Sequence, residues 1–357
     1  MADLFDGVEL GRYRLQNRIV MAPMTRCRAL PDGTPGELSA RYYSQRASVG
    51  LIVSEGTQPC ADAQGYRATP GIYTDAHVAG WQKTTRAIRA RGGRIFIQLM
   101  HAGRISHPDD TPHHRPGVAP SAIAPQAQMF TRKGVQDIPT PRPLDIGEIQ
   151  QTIRDFRHAA RRAMDAGSDG VEIHGAEGLL LQQFFAPSAN IRTDAYGGSL
   201  QHRARFAIEI ATAIADEIGP DRTAIRLSPG LRTRGIDEGA EAPALYRYLV
   251  TELDRLGLAY LHIVHHGDDA MLEDIRQRWR RILILNRPGR PLAEIGIDVK
   301  SSRADMEAYG RPILANPDFV ERLRTGAPMN EAQRSTFYGG SAMGYTDYPT
   351  MRMPQYF

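Results

Sequence analysis

Eight short apolar runs recur along this chain, each followed by a stretch of different periodicity, and that alternation limits the fold more than any other feature. The runs lie at 18–24 (RIVMAPM), 51–57 (LIVSEGT), 94–100 (RIFIQLM), 170–176 (GVEIHGA), 223–229 (TAIRLSP), 258–264 (LAYLHIV), 281–286 (RILILN) and, more weakly, 306–311 (MEAYGR). Continuous apolar runs of this length suit parallel strands buried on both faces. Helical patterns follow at 39–48, 75–91, 145–166, 203–218, 242–256, 268–279 and 317–325, with only a poorly formed one at 292–297. Ser39, Asp75 and Asn316 stand as N-caps, the last with Pro317 at the first helical position, and Asp145 with Glu148 suits a capping box. Gly167, Gly219 and Gly257 mark helix ends.

Eight strand–helix units predict an α/β protein, a (β/α)8 TIM barrel forming a single domain over residues 1–357. A doubly wound open sheet is the alternative, but no glycine-rich dinucleotide fingerprint follows the first run. A barrel places function at the C-terminal ends of its strands. One connection is unusually long. Residues 101–144 are proline-rich with no convincing helix, which predicts a lid insertion after the third strand, over the barrel mouth.

Composition narrows the class of function. No window of 18 uninterrupted apolar residues exists, so no membrane span is expected. The first ten residues lack the basic-then-apolar order of a secretory signal. Two cysteines, Cys27 and Cys60, cannot build a disulfide framework, and a reducing, cytoplasmic setting follows as the simple expectation. A net charge of +4 spread over interspersed charges argues against a nucleic-acid partner and leaves a small molecule. His262, His265 and His266 have a tempting spacing, but His262 and His265 are odd-spaced on a strand and face opposite sides, so no metal is expected.

The strand ends carry the chemistry. In order they present Pro23, Met24 and Thr25; Glu55 and Gly56; Gln98, His101 and Arg104; His174 and Glu177; Arg226 and Ser228; Asn286; and Gly310 with Arg311. An arginine within an apolar strand needs an anionic partner, either a ligand with a strongly accepting edge or a carboxylate across the barrel. Gly310–Arg311 ahead of a helix near the last strands suggests a phosphate site. Together these features point to a flat, phosphorylated cofactor.

Collinear motifs run through nearly the whole chain: 17–28 (NRIVMAPMTRCR), 54–57 (SEGT), Gly65–Tyr66, 98–104 (QLMHAGR), 169–184 (DGVEIHGAEGLLLQQF), 190–205, 226–229, 310–318 (GRPILANPD) and 337–349. In these the sequence resembles the Old Yellow Enzyme family of FMN-dependent oxidoreductases. The resemblance implies FMN at the barrel mouth, reduced by NADPH or NADH. It also implies hydride transfer from flavin N5 to an alkene conjugated to a carbonyl, with a tyrosine protonating the neighbouring carbon. It implies that Pro23, Met24 and Thr25 lie along the flavin and that Thr25 donates to flavin O4. Gly56 would allow close backbone approach, Gln98 would read the pyrimidine edge, and Arg226 would sit near N1 and O2. Gly310 and Arg311 would hold the phosphate, His174 would bind the substrate carbonyl oxygen, and Tyr66 and Tyr338 would line the substrate space.

The chain departs from the family pattern where the chemistry is done. Glu177 stands where Asn or His is usual, Leu179 where the proton-donating Tyr is usual, Gln183 where Asp is common and Met100 where an aromatic is frequent. The 286–290 stretch (NRPGR) lacks the usual paired glycines. Leu179 cannot transfer a proton, which leaves Tyr66, Tyr338 or water. Glu177 has four readings: a protonated donor, a partner holding His174 as imidazolium, a general base, or one half of a salt bridge to an arginine. The expected function is an FMN-dependent, ene-reductase-like oxidoreductase. A desaturase or double-bond isomerase with Glu177 as base is the alternative, and a non-enzymatic flavin- or ligand-binding protein is the second. The segment 345–357 is expected to pack on a neighbouring copy if the protein is a homo-oligomer.

Overall fold

The computed structural model describes residues 2–351. Eight parallel strands close into one barrel: β1 (Ile19–Met21), β2 (Leu51–Val53), β3 (Ile95–Leu99), β4 (Gly170–Gly175), β5 (Thr223–Leu227), β6 (Tyr260–Val264), β7 (Ile282–Asn286) and β8 (Met306–Tyr309). β8 pairs back with β1, Ala308 opposite Val20, and this removes both sheet edges. Each strand matches one of the eight apolar runs. Side chains alternate between the two faces. The inward set includes Val20, Leu51, Val53, Phe96, Ala224, Tyr260, Ile284 and Met306. An N-terminal hairpin, Val8–Leu10 with Tyr13–Leu15, packs Val8, Leu10 and Leu15 against this set and closes the far end. Burial of each such Val, Leu or Ile contributes about 1.5–3 kcal/mol relative to exposure.

The outer faces of the strands meet the helices α1 (Glu37–Gln45), α2 (Asp75–Arg89), α3 (Ile146–Asp165), α4 (Leu200–Ile218), α5 (Ala242–Arg255), α6 (Asp269–Arg278), α7 (Ile297–Lys300) and α8 (Phe319–Thr325). Asp145 and Glu148 form the expected capping box on α3. Three caps differ from expectation. Gly36 caps α1, with Ser39 inside the helix, and Thr74 rather than Asp75 caps α2 by accepting from the His77 N–H. Asp318, not Asn316, precedes α8. A short helix, Arg311–Ala315, takes up the preceding residues, and the Asn316 amide instead donates to Pro312 O and accepts from the Asn330 N–H. The weak seventh helix is a single turn at Leu292–Glu294 followed by α7.

The insertion leaves β3 at His101 and returns at α3. It holds a two-residue parallel ladder, Val118–Ala119 with Arg142–Pro143, and an antiparallel hairpin, Gln128–Thr131 with Gly134–Asp137. Its Ile105, Met129 and Ile138 pack on Met100 and Leu179, so the insertion covers the ends of β3 and β4. Arg104 fastens it: Nη1 donates to Ile123 O at 3.1 Å and Nη2 to Arg234 O at 3.1 Å, tying the insertion to the loop after β5. Tyr345 stacks on Tyr42 of its own chain at 4.2 Å. The remainder of the expected oligomer segment, 352–357, lies outside the described residues. Among the described residues, no helix is long and apolar enough to cross a membrane.

Candidate active site

β4 delivers His174 to the barrel mouth, 4% exposed. Its Nδ1 accepts the Ala176 N–H at 3.2 Å, so in the neutral ring the proton sits on Nε2. Burial pushes the imidazole pKa down, against the opposing pull of Glu177, and keeps the ring neutral. Its Nε2–H thus stands as a hydrogen-bond donor at the mouth, 3.4 Å from Glu177 Oε2.

Glu177 follows on the turn out of β4 with φ +57°, a left-handed backbone that suits Asn far better than Glu. The turn is held from both sides. The Glu177 N–H donates to Ser228 Oγ at 2.9 Å, and its carbonyl accepts from Arg234 Nη1 at 3.0 Å. The carboxylate accepts from Arg226 Nη1 at 3.2 Å. Burial alone would raise its pKa, but Arg226 and His174 outweigh that and hold it well below the usual carboxylate range. Of the four sequence readings, the geometry displays the salt bridge to an arginine.

Leu179 is buried in the apolar cluster of Met100, Ile105, Met129 and Ile138, with Tyr66 packed against it. The Tyr66 hydroxyl is buried and has no hydrogen-bond partner. Burial raises its pKa, and the charges of Arg234 and Glu177 both act on it. The structure therefore brings His174, Glu177 and Tyr66 together. Tyr338 is 69% exposed and edge-on to Phe337, and it too lies near enough to act electrostatically on the Tyr66 hydroxyl. Gln183 ties two loops: Oε1 accepts the Arg104 N–H, and Nε2 donates to Ala102 O and Gly178 O.

Residues expected on the cofactor side share the mouth. Pro23, Met24 and Thr25 follow β1 half-buried. A Cβ on Gly310 would lie 3.3 Å from Met24 Sδ, so the segments after β1 and β8 touch. At Gly56 a Cβ would fall 2.3 Å from Met100 Sδ, so any larger residue there would displace the Met100 side chain. Arg226 Nη2 donates to Asn286 Oδ1 at 3.2 Å, and Asn286 is fixed by donating to Ala308 O, while Arg226 Nε is buried without a partner. Arg311 is exposed, its guanidinium 5.9 Å above the Phe337 ring. Arg287 and Arg290 of the 286–290 stretch are bound to buried Asp298, and Arg290 also to Glu307. Glu55, beside the β1 segment, accepts the Arg26 N–H at 2.9 Å, and burial raises its carboxyl to about 7.

Sequence reasoning missed a buried carboxylate beneath this ring. Glu172, on β4 two residues before His174, is fully buried and accepts from Gln98 Nε2 at 2.8 Å, Tyr260 Oη at 3.0 Å and His262 Nδ1 at 2.9 Å. The signal was available: residues two apart on a strand share a face, so Glu172 had to point where His174 points. His262 belongs to this network, whereas His265, just beyond β6, meets Arg287 and Asp269. Among the described residues, no group of three His, Cys, Asp or Glu side chains is placed to hold a metal ion.

A closed parallel barrel whose mouth carries an amide, an arginine with an orphaned buried Nε, a threonine and a glycine-led helix after the last strand has the layout of a barrel enzyme with a ligand site at its mouth. The donor set fits FMN: an amide and a guanidinium match the pyrimidine edge of the ring, and the segment after β8 matches its phosphate. A family model described as NADH:flavin oxidoreductase / NADH oxidase family matches residues 3–330. The 12-oxophytodienoate reductase 2 of Arabidopsis thaliana is 40% identical over 358 residues, 96% of this chain and 94% of the relative. The chanoclavine-I aldehyde reductase of Penicillium roqueforti is 40% identical over 366 residues, 98% and 96% of the two chains. Among solved structures, morphinone reductase in complex with tetrahydroNAD superposes with a TM-score of 0.93 at 44% identity, covering 98% of each chain. The Old Yellow Enzyme homologue from Zymomonas mobilis gives 0.93 at 35% identity, covering 98% and 99%. The chain belongs to the NADH:flavin oxidoreductase family, the Old Yellow Enzymes, and is an FMN-dependent oxidoreductase of the ene-reductase type served by NAD(P)H.

Proposed function

We propose that this enzyme reduces a carbon–carbon double bond conjugated to a carbonyl, with His174 binding the carbonyl oxygen and Tyr66 replacing the missing tyrosine at 179 as proton donor. The observation that carries the reading is the fixed His174 tautomer. With Nδ1 engaged by the Ala176 N–H, the ring offers Nε2–H to an acceptor and cannot turn a lone pair toward it. FMN, when bound, supplies the hydride. Charge then grows on the substrate oxygen, and His174 meets it with a donor already in place.

Glu177 is an ionised acceptor here and gives no hydrogen bond to the carbonyl. It sets the position of Arg226 and competes with substrate for the His174 proton. Its depressed pKa makes it a weak base, which weighs against the desaturase and isomerase readings. The packing of Tyr66 on Leu179, with a buried and unpartnered hydroxyl, supports it as the proton source. Arg226, Gln98, Thr25 and the Gly310–Arg311 segment would hold FMN.

The test is anaerobic. The FMN-loaded protein is reduced with NADPH or NADH, then mixed with a cyclic α,β-unsaturated ketone. Reoxidation of the flavin with release of the saturated ketone is expected, and His174→Ala should slow it by about 10²–10³. A flavin bleached by the saturated ketone, and inert to both nicotinamides, would replace this reading with desaturation.

A further inference from the structure

Glu172 is a fully buried charge at the barrel mouth, and the proposed reaction does not use it. It has 0% exposure, and its carboxylate gathers three donors from two strands besides its own: Gln98 on β3, directly opposite Glu172 of β4 in register, and Tyr260 and His262 on β6. A buried carboxylate is tolerated only when its lone pairs are occupied. The charges facing it are also defined. His262, through its hydrogen bond, and Arg226 on β5, through its charge, lower its pKa against burial, while burial lowers that of His262 itself. His262 gives its Nδ1 proton to Glu172, and its Nε2 is left buried with no partner.

An ionised carboxylate only accepts, so it fixes which end of the Gln98 amide faces it. The nitrogen must turn to Glu172, and the oxygen is thereby aimed elsewhere. We propose that Glu172 is a positioning residue for FMN: it locks the Gln98 amide with its oxygen free to accept from the N–H of the flavin pyrimidine edge, and its retained charge behind Gln98 would set how readily the bound flavin accepts electrons. The proposal rests on the placement of Gln98 at that edge.

Two consequences separate this role from a merely structural one. A neutral isostere, Glu172→Gln, keeps an acceptor for Tyr260 and His262 but meets Gln98 with an amide, so the Gln98 amide turns over and the ring N–H loses its acceptor. Oxidised FMN should then bind about tenfold more weakly, the worth of one buried hydrogen bond. Loss of the negative charge should offset this for the reduced, more negative ring. A tenfold change in the relative affinity of the two forms corresponds to about 30 mV for a two-electron couple. The midpoint potential should therefore rise. Tyr260→Phe should act in the opposite direction, because it retains the charge and removes one of its donors.

The experiment is a titration of apoprotein with FMN, followed by fluorescence, together with reductive titration of the loaded protein against a dye of known potential. It covers wild type, Glu172→Gln, Tyr260→Phe, Gln98→Ala and the Glu172→Gln/Gln98→Ala pair. Support is a raised potential in Glu172→Gln, a lowered one in Tyr260→Phe, and disappearance of the Glu172→Gln effect on affinity once Gln98 is gone. Unchanged affinity and potential in a folded Glu172→Gln, or an undiminished effect in the double variant, would overturn the proposal while leaving Gln98 in place. If Glu172→Gln does not fold, an unshifted or raised potential in Tyr260→Phe overturns it. Gln98→Ala with undiminished FMN affinity would remove the placement of Gln98, and the proposal with it.

Discussion

Glu177 Oε2 lies 3.2 Å from Arg226 Nη1 and 3.4 Å from His174 Nε2, so one carboxylate oxygen faces both the Arg226 cation and the neutral His174 donor. A substrate carbonyl that binds His174 must take that proton from an anion already beside it. Under the proposed role of His174, the salt bridge would cost substrate affinity while holding Arg226 in place.

Replacing Glu177 by Asn should relieve this competition. Asn carries a donor, has no charge and tolerates φ +57° better than Glu. A hydrogen bond to a charged partner is worth about 1.5–3 kcal/mol, so KM for an enone should fall about tenfold with a smaller change in kcat. Steady-state kinetics at saturating NAD(P)H would show it. A higher KM would mean that Glu177 assists substrate binding.

Leu179→Tyr in the Glu177→Asn background should add a proton donor at the family's usual position. General acid catalysis contributes about 10²-fold or more, and a gain of that order in flavin reoxidation by the enone is expected. The site is packed by Met100, Ile105, Met129 and Ile138, so the larger ring should lower the melting temperature, overpacking costing about 1–3 kcal/mol. No gain in rate from a folded double variant would sink the assignment of these two positions.

The barrel was legible because its strands are continuous apolar runs and its helices end at glycines such as Gly219, with φ +96°. The caps were less so. Thr74 and Asp75 are both cap formers, and only tertiary placement decides between them. At the site, the mouth residues could be read from strand ends, since parallel strands in a barrel all finish on one side. What could not be read were relations across the barrel. Glu172 in GVEIHG is one carboxylate in an apolar run until closure brings Gln98, Tyr260 and His262 to it. The Glu177–Arg226 pair joins residues 49 apart in sequence; a salt bridge to some arginine was among the readings of Glu177, but the sequence did not say which arginine.

Two buried groups should shape the pH dependence of stability in opposite senses. Glu55 is raised to about 7 by burial, so between about 4.5 and 7 the folded state binds the extra proton and stability falls as pH rises. His101 is lowered to about 4 by burial, so between about 6.5 and 4 the unfolded state binds the extra proton and stability falls as pH drops. The two offset each other from about pH 4.5 to 6.5. Glu55→Gln should leave the His101 slope exposed, up to about 1.4 kcal/mol per pH unit. Urea midpoints across pH 4.5–7.5 test it, and an unchanged profile in Glu55→Gln would refute the raised Glu55 pKa.

Tyr66 provides the sharpest separation of chemistry from packing. Its hydroxyl is buried and unpartnered, and its ring lies on the Leu179 cluster with the Arg234 guanidinium 5.9 Å from its centroid. Tyr66→Phe keeps the ring and these contacts and removes only the proton. If the phenol protonates the substrate carbon, flavin reoxidation by an enone should slow about 10²-fold while flavin reduction by NAD(P)H keeps its rate. The raised phenol pKa keeps the proton in place through neutral pH, so the wild-type rate should not decline with ionisation of Tyr66 below the ordinary tyrosine range. Stopped-flow measurement of the two half-reactions distinguishes the outcomes. Equal rates in wild type and Tyr66→Phe would make Tyr66 a wall of the pocket and transfer proton delivery to water. A matched slowing of both half-reactions would instead place its effect on the flavin.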